Sequence, residues 1–250
     1  MSFADVMRWL VVLLVPFAAA SSADITARVK VDFYMESLCP FCGIFATSTL
    51  KDMMGEIGEI VELSMIPSGN MRPDAEGTLQ CQHGPGECEG NRVEACAIHL
   101  HPDQHVWFPF VNCFEENFPE NREFAARTAE KCAKLANISA LDVQTCAQGP
   151  LGVELAEQMT KQTAGLDPPH QFVPWVVIDG GAYSGGTDAI PYRVCQAYKG
   201  VPPPACSKYR PPSPGSVLGL TSTSTTKKEA RVCMNKDRTH FEHTNAHTDV

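Results

Sequence analysis

The fold of this chain is decided by residues 29–43, which read VKVDFYMESLCPFCG. The first half of this stretch alternates between apolar and polar residues and is rich in valine and aromatic side chains, a pattern that predicts a β-strand. The second half contains two cysteines, Cys39 and Cys42, separated by Pro40 and Phe41. Apolar residues then recur at helical spacing, and proline is well tolerated in the first turn of a helix. We therefore predict a strand that delivers Cys39 to the N-terminus of a helix.

A C-x-x-C in this setting is suited to redox chemistry. The free N–H groups and the macrodipole of a helix N-terminus favour an anion, and the thiolate is the reactive form of cysteine. Cys39 is predicted to attack a substrate disulfide, and Cys42, one turn further and more buried, to resolve the mixed disulfide. A short structural disulfide and half of a zinc site are the alternatives. No second C-x-x-C completes a zinc site, so we predict no metal.

Composition places the chain in an oxidising compartment. An apolar run after Arg8, followed by small residues, predicts a signal peptide over residues 1–23; an N-terminal anchor is the alternative, disfavoured because strongly basic flanks are lacking. Eleven cysteines in 250 residues are typical of chains that keep disulfides, and Asn137-Ile138-Ser139 is a glycosylation acceptor. No later stretch reaches membrane-spanning length. The formal net charge of -9 argues against nucleic acid or an anionic membrane surface as partner.

The order of the remaining elements predicts an α/β, thioredoxin-like domain over residues 24–208. A second strand over residues 59–67 implies a right-handed parallel crossover, and a third strand over residues 172–179 leads into a hairpin and a closing helix. In the thioredoxin-like fold that this order resembles, a cis-proline opens the third strand and presents backbone to a peptide. Val173 and Pro174 are therefore the expected substrate-binding residues; an ordinary trans proline at a strand edge is the alternative.

Residues at about 68–171 form a long excursion that carries six cysteines. Helical spacing over residues 123–135, a capping box at Ser139 and a further apolar pattern from Leu151 to Met159 predict a mostly helical insertion that caps the sheet near the active edge. Within it, residues 81–96 read CQHGPGECEGNRVEAC. Metal binding by these cysteines and His83 is one reading, but an oxidising lumen favours disulfides, with His83 as a loop hydrogen-bond donor.

This stretch resembles the signature of the interferon-gamma-inducible lysosomal thiol reductase family, C-Q-H-G-x-x-E-C-x-x-N-x-x-x-x-C. The fixed positions are Cys81, Gln82, His83, Gly84, Glu87, Cys88, Asn91 and Cys96. The segments around Cys39, Pro174 and Cys195 are also similar to that family, so that the resemblance covers roughly residues 29–206. It implies a soluble reductase of protein disulfides, glycosylated at Asn137, that acts in acidic endosomes and lysosomes or is secreted.

The resemblance implies disulfide-containing proteins as substrates, and we expect these to be unfolded. Exchange between two thiols and a disulfide implies no bound organic cofactor. Turnover then requires an external reductant, either a small thiol or a protein. The same C-x-x-C also serves secreted disulfide oxidases and isomerases. A non-catalytic, cysteine-rich binding module is the alternative from another class.

Residues 209–250 are rich in proline, serine and threonine and end in a histidine-rich stretch, a composition that predicts disorder. The family resemblance implies that such a segment can be removed as a propeptide. Without Cys39 and Cys42 nine cysteines remain, an odd number, and Cys233 is the candidate for the unpaired one, able to link two chains in a dimer. Cys195 with Cys206 and Cys132 with Cys146 are expected local bridges, and Cys81, Cys88, Cys96 and Cys113 are expected to pair among themselves.

Overall fold

The computed structural model of the chain describes residues 27–118, 125–211 and 232–235. The predicted signal peptide and most of the predicted C-terminal tail lie outside these residues. The strands are β1 (Val29–Met35), β2 (Val61–Pro67), β3 (Arg72–Pro73), β4 (Leu79–Gln80), β5 (Phe172–Val173), β6 (Trp175–Ile178), β7 (Gly181–Tyr183) and β8 (Cys233–Met234). The helices are α1 (Pro40–Phe45), α2 (Lys51–Ile57), α3 (Pro85–Leu100), α4 (Gln104–Asn117), α5 (Ala125–Ala136), α6 (Ala140–Gln148), α7 (Pro150–Ala164) and α8 (Ile190–Ala197). A π-helical segment, Ala46–Leu50, joins α1 to α2, and short 3₁₀ turns occupy Gly58–Ile60, Thr187–Ala189 and Pro204–Lys208.

Strand β1 lies inside the main sheet, whose strand order is β2-β1-β6-β7. It pairs parallel with β2 and antiparallel with β6, which confirms the predicted parallel crossover. Phe33 and Met35 are fully buried on one face, whereas Tyr34 packs with Ile66 and Trp175 on the other. A one-residue slip of β1 would turn the exposed Lys30 toward the core that Val31 and Phe33 occupy, so the register of β1 is fixed, and the position of Cys39 beyond its end is fixed with it.

The predicted third strand is divided in two at Pro174. Trp175–Ile178 joins the main sheet as β6, whereas Phe172–Val173 pairs with β8 in a separate two-stranded sheet. The prediction of one continuous strand was wrong because proline has no N–H to donate to a ladder. The Val173–Pro174 peptide bond is cis, as the thioredoxin-like pattern predicts.

The insertion is mostly helical, as predicted, and it packs over the start of α1. Ser139 caps α6 by accepting a hydrogen bond of 3.2 Å from the N–H of Asp142. The rings of Phe110, Phe114 and Phe118 stack in the interior of the insertion. A short hairpin, β3 and β4, precedes the helices; its strands of two residues are too short to leave a periodic pattern in the sequence.

Two of the disulfide pairings in the structure differ from those expected. The bridge between Cys195 and Cys206 is present, and so is one within the signature, Cys81–Cys88. The remaining bridges of the insertion are Cys96–Cys146 and Cys113–Cys132. Helix α6 packs against α3, which brings Cys146 to Cys96, and helix α5 packs against α4, which brings Cys132 to Cys113. Cys132 therefore does not pair with Cys146. Proximity in sequence was the wrong guide here.

The stacked phenylalanines yield a stability prediction. Phe114→Ala should lower the free energy of unfolding by about 3–5 kcal/mol, because the fully buried ring contacts two other rings and its loss leaves a cavity. Leu141→Ala is the control: that side chain is 73% exposed on α6, and its loss should change stability by no more than about 0.5 kcal/mol. Denaturant unfolding measures both, and equal effects would contradict the assignment of the core.

Candidate active site

The two cysteines of the C-x-x-C lie where the sequence predicts them. Cys39 is the residue before α1, in an extended conformation, and Pro40 is the first helical residue. The N–H of Gly43 donates to the carbonyl of Cys39 at 3.1 Å, which places Cys42 in the first turn. Both cysteines are fully buried. The prediction that Cys42 is the more buried of the two was therefore wrong, since Cys39 is covered by Cys233, to which it is bonded.

Cys39 is joined to Cys233 by a disulfide within the chain. All eleven cysteines fall within the described ranges, and the free one is Cys42. The prediction set Cys39 and Cys42 aside as a pair and expected the unpaired cysteine among the other nine, with Cys233 as the candidate. It was wrong, because Cys233 bonds to Cys39 and the free thiol is Cys42. The segment around Cys233 is also ordered as β8, whereas it was expected to be disordered. A two-residue strand that pairs with a partner far away in the sequence leaves no local pattern by which it could be predicted.

Val173 and Pro174 lie beside the cysteine pair. Strand β8 runs antiparallel to β5, with Cys233 opposite Val173. The Cys39 Sγ atom lies 3.9 Å from the carbonyl oxygen of Val173. The backbone just before the cis-proline therefore borders the sulfur that is predicted to react.

The signature motif supports the turn that leads from β1 to Cys39. Asn91 Oδ1 accepts a hydrogen bond of 2.9 Å from the N–H of Ser37. Glu87 accepts from the N–H groups of Gln82 and His83 at 3.1 and 3.2 Å, which folds the Cys81–Cys88 loop back onto α3. Gly84 has a φ of 90°, a left-handed conformation that glycine adopts without a steric penalty. These contacts explain most of the fixed positions as a scaffold.

A close approach of helix α3 to two side chains explains a further glycine of this region. A Cβ atom on Gly90 would lie 2.4 Å from Ser37 Oγ and from the Phe118 ring. Helix α3 can therefore pack against the turn before Cys39 only with glycine at this position. Cys96 then anchors the same helix to α6 through its disulfide with Cys146.

Glu36, His83 and Glu87 form a buried cluster under this turn. Their ligand-type atoms lie within 4.8 Å of one another, a spacing that a cation could bridge. However, His83 Nδ1 contacts Glu87 Oε2 directly and lies 3.5 Å from Glu36 Oε1. His83 and Glu87 are therefore paired with each other without a cation, whereas Glu36 Oε1 has no hydrogen-bond partner among the described residues.

Four glutamates around the cysteines are buried, and three of them were not singled out from the sequence. They are Glu36, Glu87, Glu94 and Glu115. Burial raises the pKa of Glu36 to about 8, with a further contribution from the charge of Glu87, whose own pKa burial raises to about 7. Burial also raises the pKa of Glu94 to about 8 and that of Glu115 well above its usual range, the latter helped by the charge of Glu94. These carboxyl groups therefore favour the neutral form at acidic pH.

Only a weak signal in the sequence indicates that the glutamates not singled out are buried. Glu94 and Glu115 each lie on the apolar face of a helix, where a charged residue is seldom buried. Glu115 lies against α1, since a Cβ atom on Gly43 would be 3.3 Å from its Oε2. Its carboxyl group thus borders the residue that follows Cys42.

The thiol of Cys42 is held in its protonated form. Burial raises its pKa well above the usual value, and the charge of Glu36 adds to the effect. A neutral carboxyl at Glu36 removes that second contribution. The protonation of the cluster and that of Cys42 are therefore linked.

A family model and several known sequences are similar to this chain. The sequence model of the family described as Gamma interferon inducible lysosomal thiol reductase (GILT) matches residues 30–136. A Gamma-interferon-responsive lysosomal thiol protein of Arabidopsis thaliana is 32% identical over 192 residues, which cover 75% of this chain and 78% of the relative. A Gamma-interferon-inducible lysosomal thiol reductase of Carassius auratus is 31% identical over 189 residues, 72% of each chain.

The chain belongs to the GILT family. Solved structures agree with this in fold. BdbD from Bacillus subtilis superimposes with a TM-score of 0.53 at 16% identity, over 69% of this chain and 88% of that one. DsbA from Chlamydia trachomatis superimposes with a TM-score of 0.52 at 16% identity over the same shares. The predicted thioredoxin-like fold is confirmed, and as a GILT member the chain is a disulfide oxidoreductase that works by thiol–disulfide exchange.

Other predicted features of this GILT protein have the following positions. Asn137 lies exposed in the turn between α5 and α6, where a glycan could be attached without displacing the core. Among residues 27–118, 125–211 and 232–235, no helix combines the length and the apolar character needed to cross a bilayer. The predicted signal peptide lies outside these ranges.

The buried carboxyls yield a pH prediction. An acid whose pKa is raised in the folded state binds more protons there than in the unfolded chain, so stability falls as the pH rises from its usual pKa of 4.5 to the folded value of about 8 for Glu94. Glu115→Gln removes one such group, so the melting temperature should fall less between about pH 5 and about pH 8 than in the wild type.

The exposed Glu157→Gln on α7 is the matched control for this measurement. It should retain the pH dependence of the wild type, because its side chain is in water in both states. Differential scanning calorimetry across the range measures the difference. The same slope in both variants would contradict a buried, proton-binding Glu115.

Proposed function

We propose that this protein is a reductase of protein disulfides that acts in the acidic endolysosomal lumen or after secretion, with Cys39 as the attacking and Cys42 as the resolving cysteine. One observation carries the proposal. The sulfur of Cys39 is bonded to a cysteine held in an extended strand on β5, while Cys42 remains a free thiol in the first turn of the same helix. This is the arrangement of the mixed disulfide through which reductive exchange passes.

The chemistry follows from the positions of the two thiols. The Cys39 thiolate attacks one sulfur of a substrate disulfide, forms a mixed disulfide and releases the other substrate thiolate, which takes up a proton. Cys42 then loses its proton and attacks Cys39, so that the Cys39–Cys42 disulfide forms and the second substrate thiol leaves. The substrate gains two electrons and the enzyme loses them. An external thiol, either small or on a protein, reduces Cys39–Cys42 again, and no bound organic cofactor is required because electrons pass only between sulfur atoms.

Acidic conditions agree with the surroundings of the site. Buried carboxyl groups whose pKa values are raised to about 7 and about 8 are neutral in an acidic lumen without loss of stability. At neutral pH they would carry charge in a medium that solvates it poorly. The name of the relative from Carassius auratus also places it in the lysosome.

The substrate is a polypeptide with an accessible, extended segment beside its disulfide. Strand β5 can pair only with a chain segment in a β conformation. In a folded domain, the segment beside a disulfide is seldom both extended and at an exposed sheet edge. Unfolded or partly unfolded proteins present such segments readily. Membership of the GILT family disfavours a non-catalytic binding module. An oxidase or isomerase would use the same two cysteines, so only an experiment can distinguish these functions from that of a reductase.

The roles of the two cysteines can be tested in a Cys233→Ser background, in which Cys39 is not linked to β8. Cys39→Ser in this background should abolish reduction, because the attacking sulfur is absent. Cys42→Ser should instead accumulate a mixed disulfide with the substrate on Cys39, because the resolving thiol is absent. Mass spectrometry after incubation with a denatured disulfide protein measures the adduct. Adducts on Cys42 in the Cys39→Ser protein, with none in the Cys42→Ser protein, would reverse the roles.

The direction of the reaction needs its own measurement. With a thiol reductant at about pH 5, the Cys233→Ser protein should reduce a denatured disulfide protein many-fold faster than the reductant alone, since a solution thiol is scarcely ionised there. The oxidised enzyme, mixed with a reduced protein, should form few disulfides in it. The opposite pair of results would identify an oxidase.

A further inference from the structure

Residues 232–235, here called the tail strand, lie where a peptide would meet Cys39. Cys233 is bonded to Cys39 and stands opposite Val173, and Met234 stands opposite Phe172. The N–H of Asn235 donates to the carbonyl of Gln171 at 2.9 Å. The tail strand therefore adds to β5 as an extended peptide does in β-strand addition, with its cysteine at the reactive sulfur.

Two side-chain amides of the insertion also hold the tail strand. Asn70 Nδ2 donates to the carbonyl oxygen of Cys233 at 3.4 Å, and Gln82 Nε2 donates to that of Met234 at 3.3 Å. Asn70 Nδ2 also donates to Gln82 Oε1, so the two amides orient each other. Both contacts to the tail strand are made to backbone carbonyls, while Met234 is 47% exposed. Such contacts recognise an extended backbone next to a cysteine rather than a particular side chain.

We propose that this groove is the peptide-substrate site, that Asn70 and Gln82 bind the substrate backbone in it, and that the tail strand is a tethered pseudo-substrate that covers Cys39 until it is displaced. The inference rests on the proposed function, because a pseudo-substrate is meaningful only if Cys39 attacks substrate disulfides. It gives Gln82, a fixed position of the signature, a role beyond the scaffold. The ligand class is an extended polypeptide segment whose disulfide-bonded cysteine is followed by residues with free carbonyl groups.

A pocket continues this groove past the tail strand. It has a volume of about 230 Å³ and is bordered by Asn70, Thr160, Pro169, His170 and Asn235. Asn235 is the last described residue of the tail strand, so substrate residues that follow the attacked cysteine would lie against this pocket. His170 lies 3.3 Å from Asn70 Oδ1 and 3.4 Å from the Asn235 side chain, and it links the pocket to the backbone-binding amide.

Release of the tail strand uses the exchange chemistry of the enzyme itself. The thiolate of Cys42 attacks Cys39, the Cys39–Cys42 disulfide forms as Cys39–Cys233 breaks, and Cys233 leaves as a thiolate that takes up a proton. One disulfide replaces another, so this step needs no oxidant or reductant. A thiol reductant then converts Cys39–Cys42 to two thiols, and in the process is itself oxidised to a disulfide. The site is then open to substrate.

The first test compares the full-length wild type with Cys233→Ser. Free thiols are alkylated, and peptides are mapped without reduction; the wild type should give a Cys39–Cys233 peptide. When reductant and a denatured disulfide protein are added together, the wild type should show a lag before its full rate and Cys233→Ser none. Met234→Ala should keep the lag, because only its backbone is bound. A Cys39–Cys42 bridge in the wild type, Cys233 linked to a second chain, or no lag would each overturn the pseudo-substrate.

The second test addresses Gln82 in the Cys233→Ser background. Gln82→Ala should raise the KM for a denatured disulfide protein by about two- to tenfold, the effect of one lost hydrogen bond, with kcat nearly unchanged. Its rate with a small aromatic disulfide, which has no peptide backbone, should be unaffected. The control is Gln80→Ala, an exposed glutamine whose side chain donates to Asp74.

The outcomes separate this inference from the proposed function. If Gln82→Ala slows both substrates alike, or slows neither, the role of Gln82 in binding the substrate backbone is overturned. If the Cys233→Ser protein with an intact Gln82 reduces neither substrate, the proposed function itself fails. A change in KM confined to the protein substrate supports the inference.

Discussion

The turn between β1 and α1 is the constraint on which the rest of the structure depends. The strand must end and the helix must begin within four residues, and every polar group of that turn is withdrawn from water. Glu36 accepts from the N–H of Asn70 at 2.9 Å, the N–H of Cys39 donates to the carbonyl of Glu36, and Ser37 is held by Asn91 and by the carbonyl of Glu87. An unpaired buried group would cost about 1–3 kcal/mol, so these partners are required by the position of Cys39. The insertion supplies them.

Glycines make this support sterically possible. Gly69 has a φ of 51°, and a Cβ atom there would lie 2.5 Å from Glu36 Oε2. Gly90 lets α3 approach Ser37 from the other side. The support of the turn therefore has two requirements: hydrogen bonds to it, and glycines that let the neighbouring segments come close enough to make them. Within the signature, the side chain of Gln82 extends to the tail strand and donates to the carbonyl of Met234.

The sequence was informative where a pattern is local and misleading where it is not. Alternation in β1, the C-x-x-C at a helix start, the proline after Val173 and the cap at Ser139 each depend on a few neighbouring residues, and each was predicted. The pairing of Cys96 with Cys146 depends on which helices pack together, which no local pattern encodes. The bond between Cys39 and Cys233 joins residues separated by 194 positions through a strand of two residues. The buried glutamates were missed because a glutamate on an apolar face looks like a break in the pattern rather than a member of a site.

The burial of two disulfides of the insertion bears on how a disulfide oxidoreductase keeps its own structural bridges intact. A thiolate must approach a disulfide along the sulfur–sulfur axis, and a sulfur without an open path is not attacked. The cysteines of two bridges, Cys96–Cys146 and Cys113–Cys132, are buried between helices. Cys81, Cys88 and Cys206 are partly exposed. The bridges that hold the helical insertion together therefore offer little open path to an attacking thiol. Cys39 and Cys42 are fully buried as well, so burial alone does not distinguish the thiols proposed to react from the structural bridges; departure of the tail strand would do so by opening a path to Cys39.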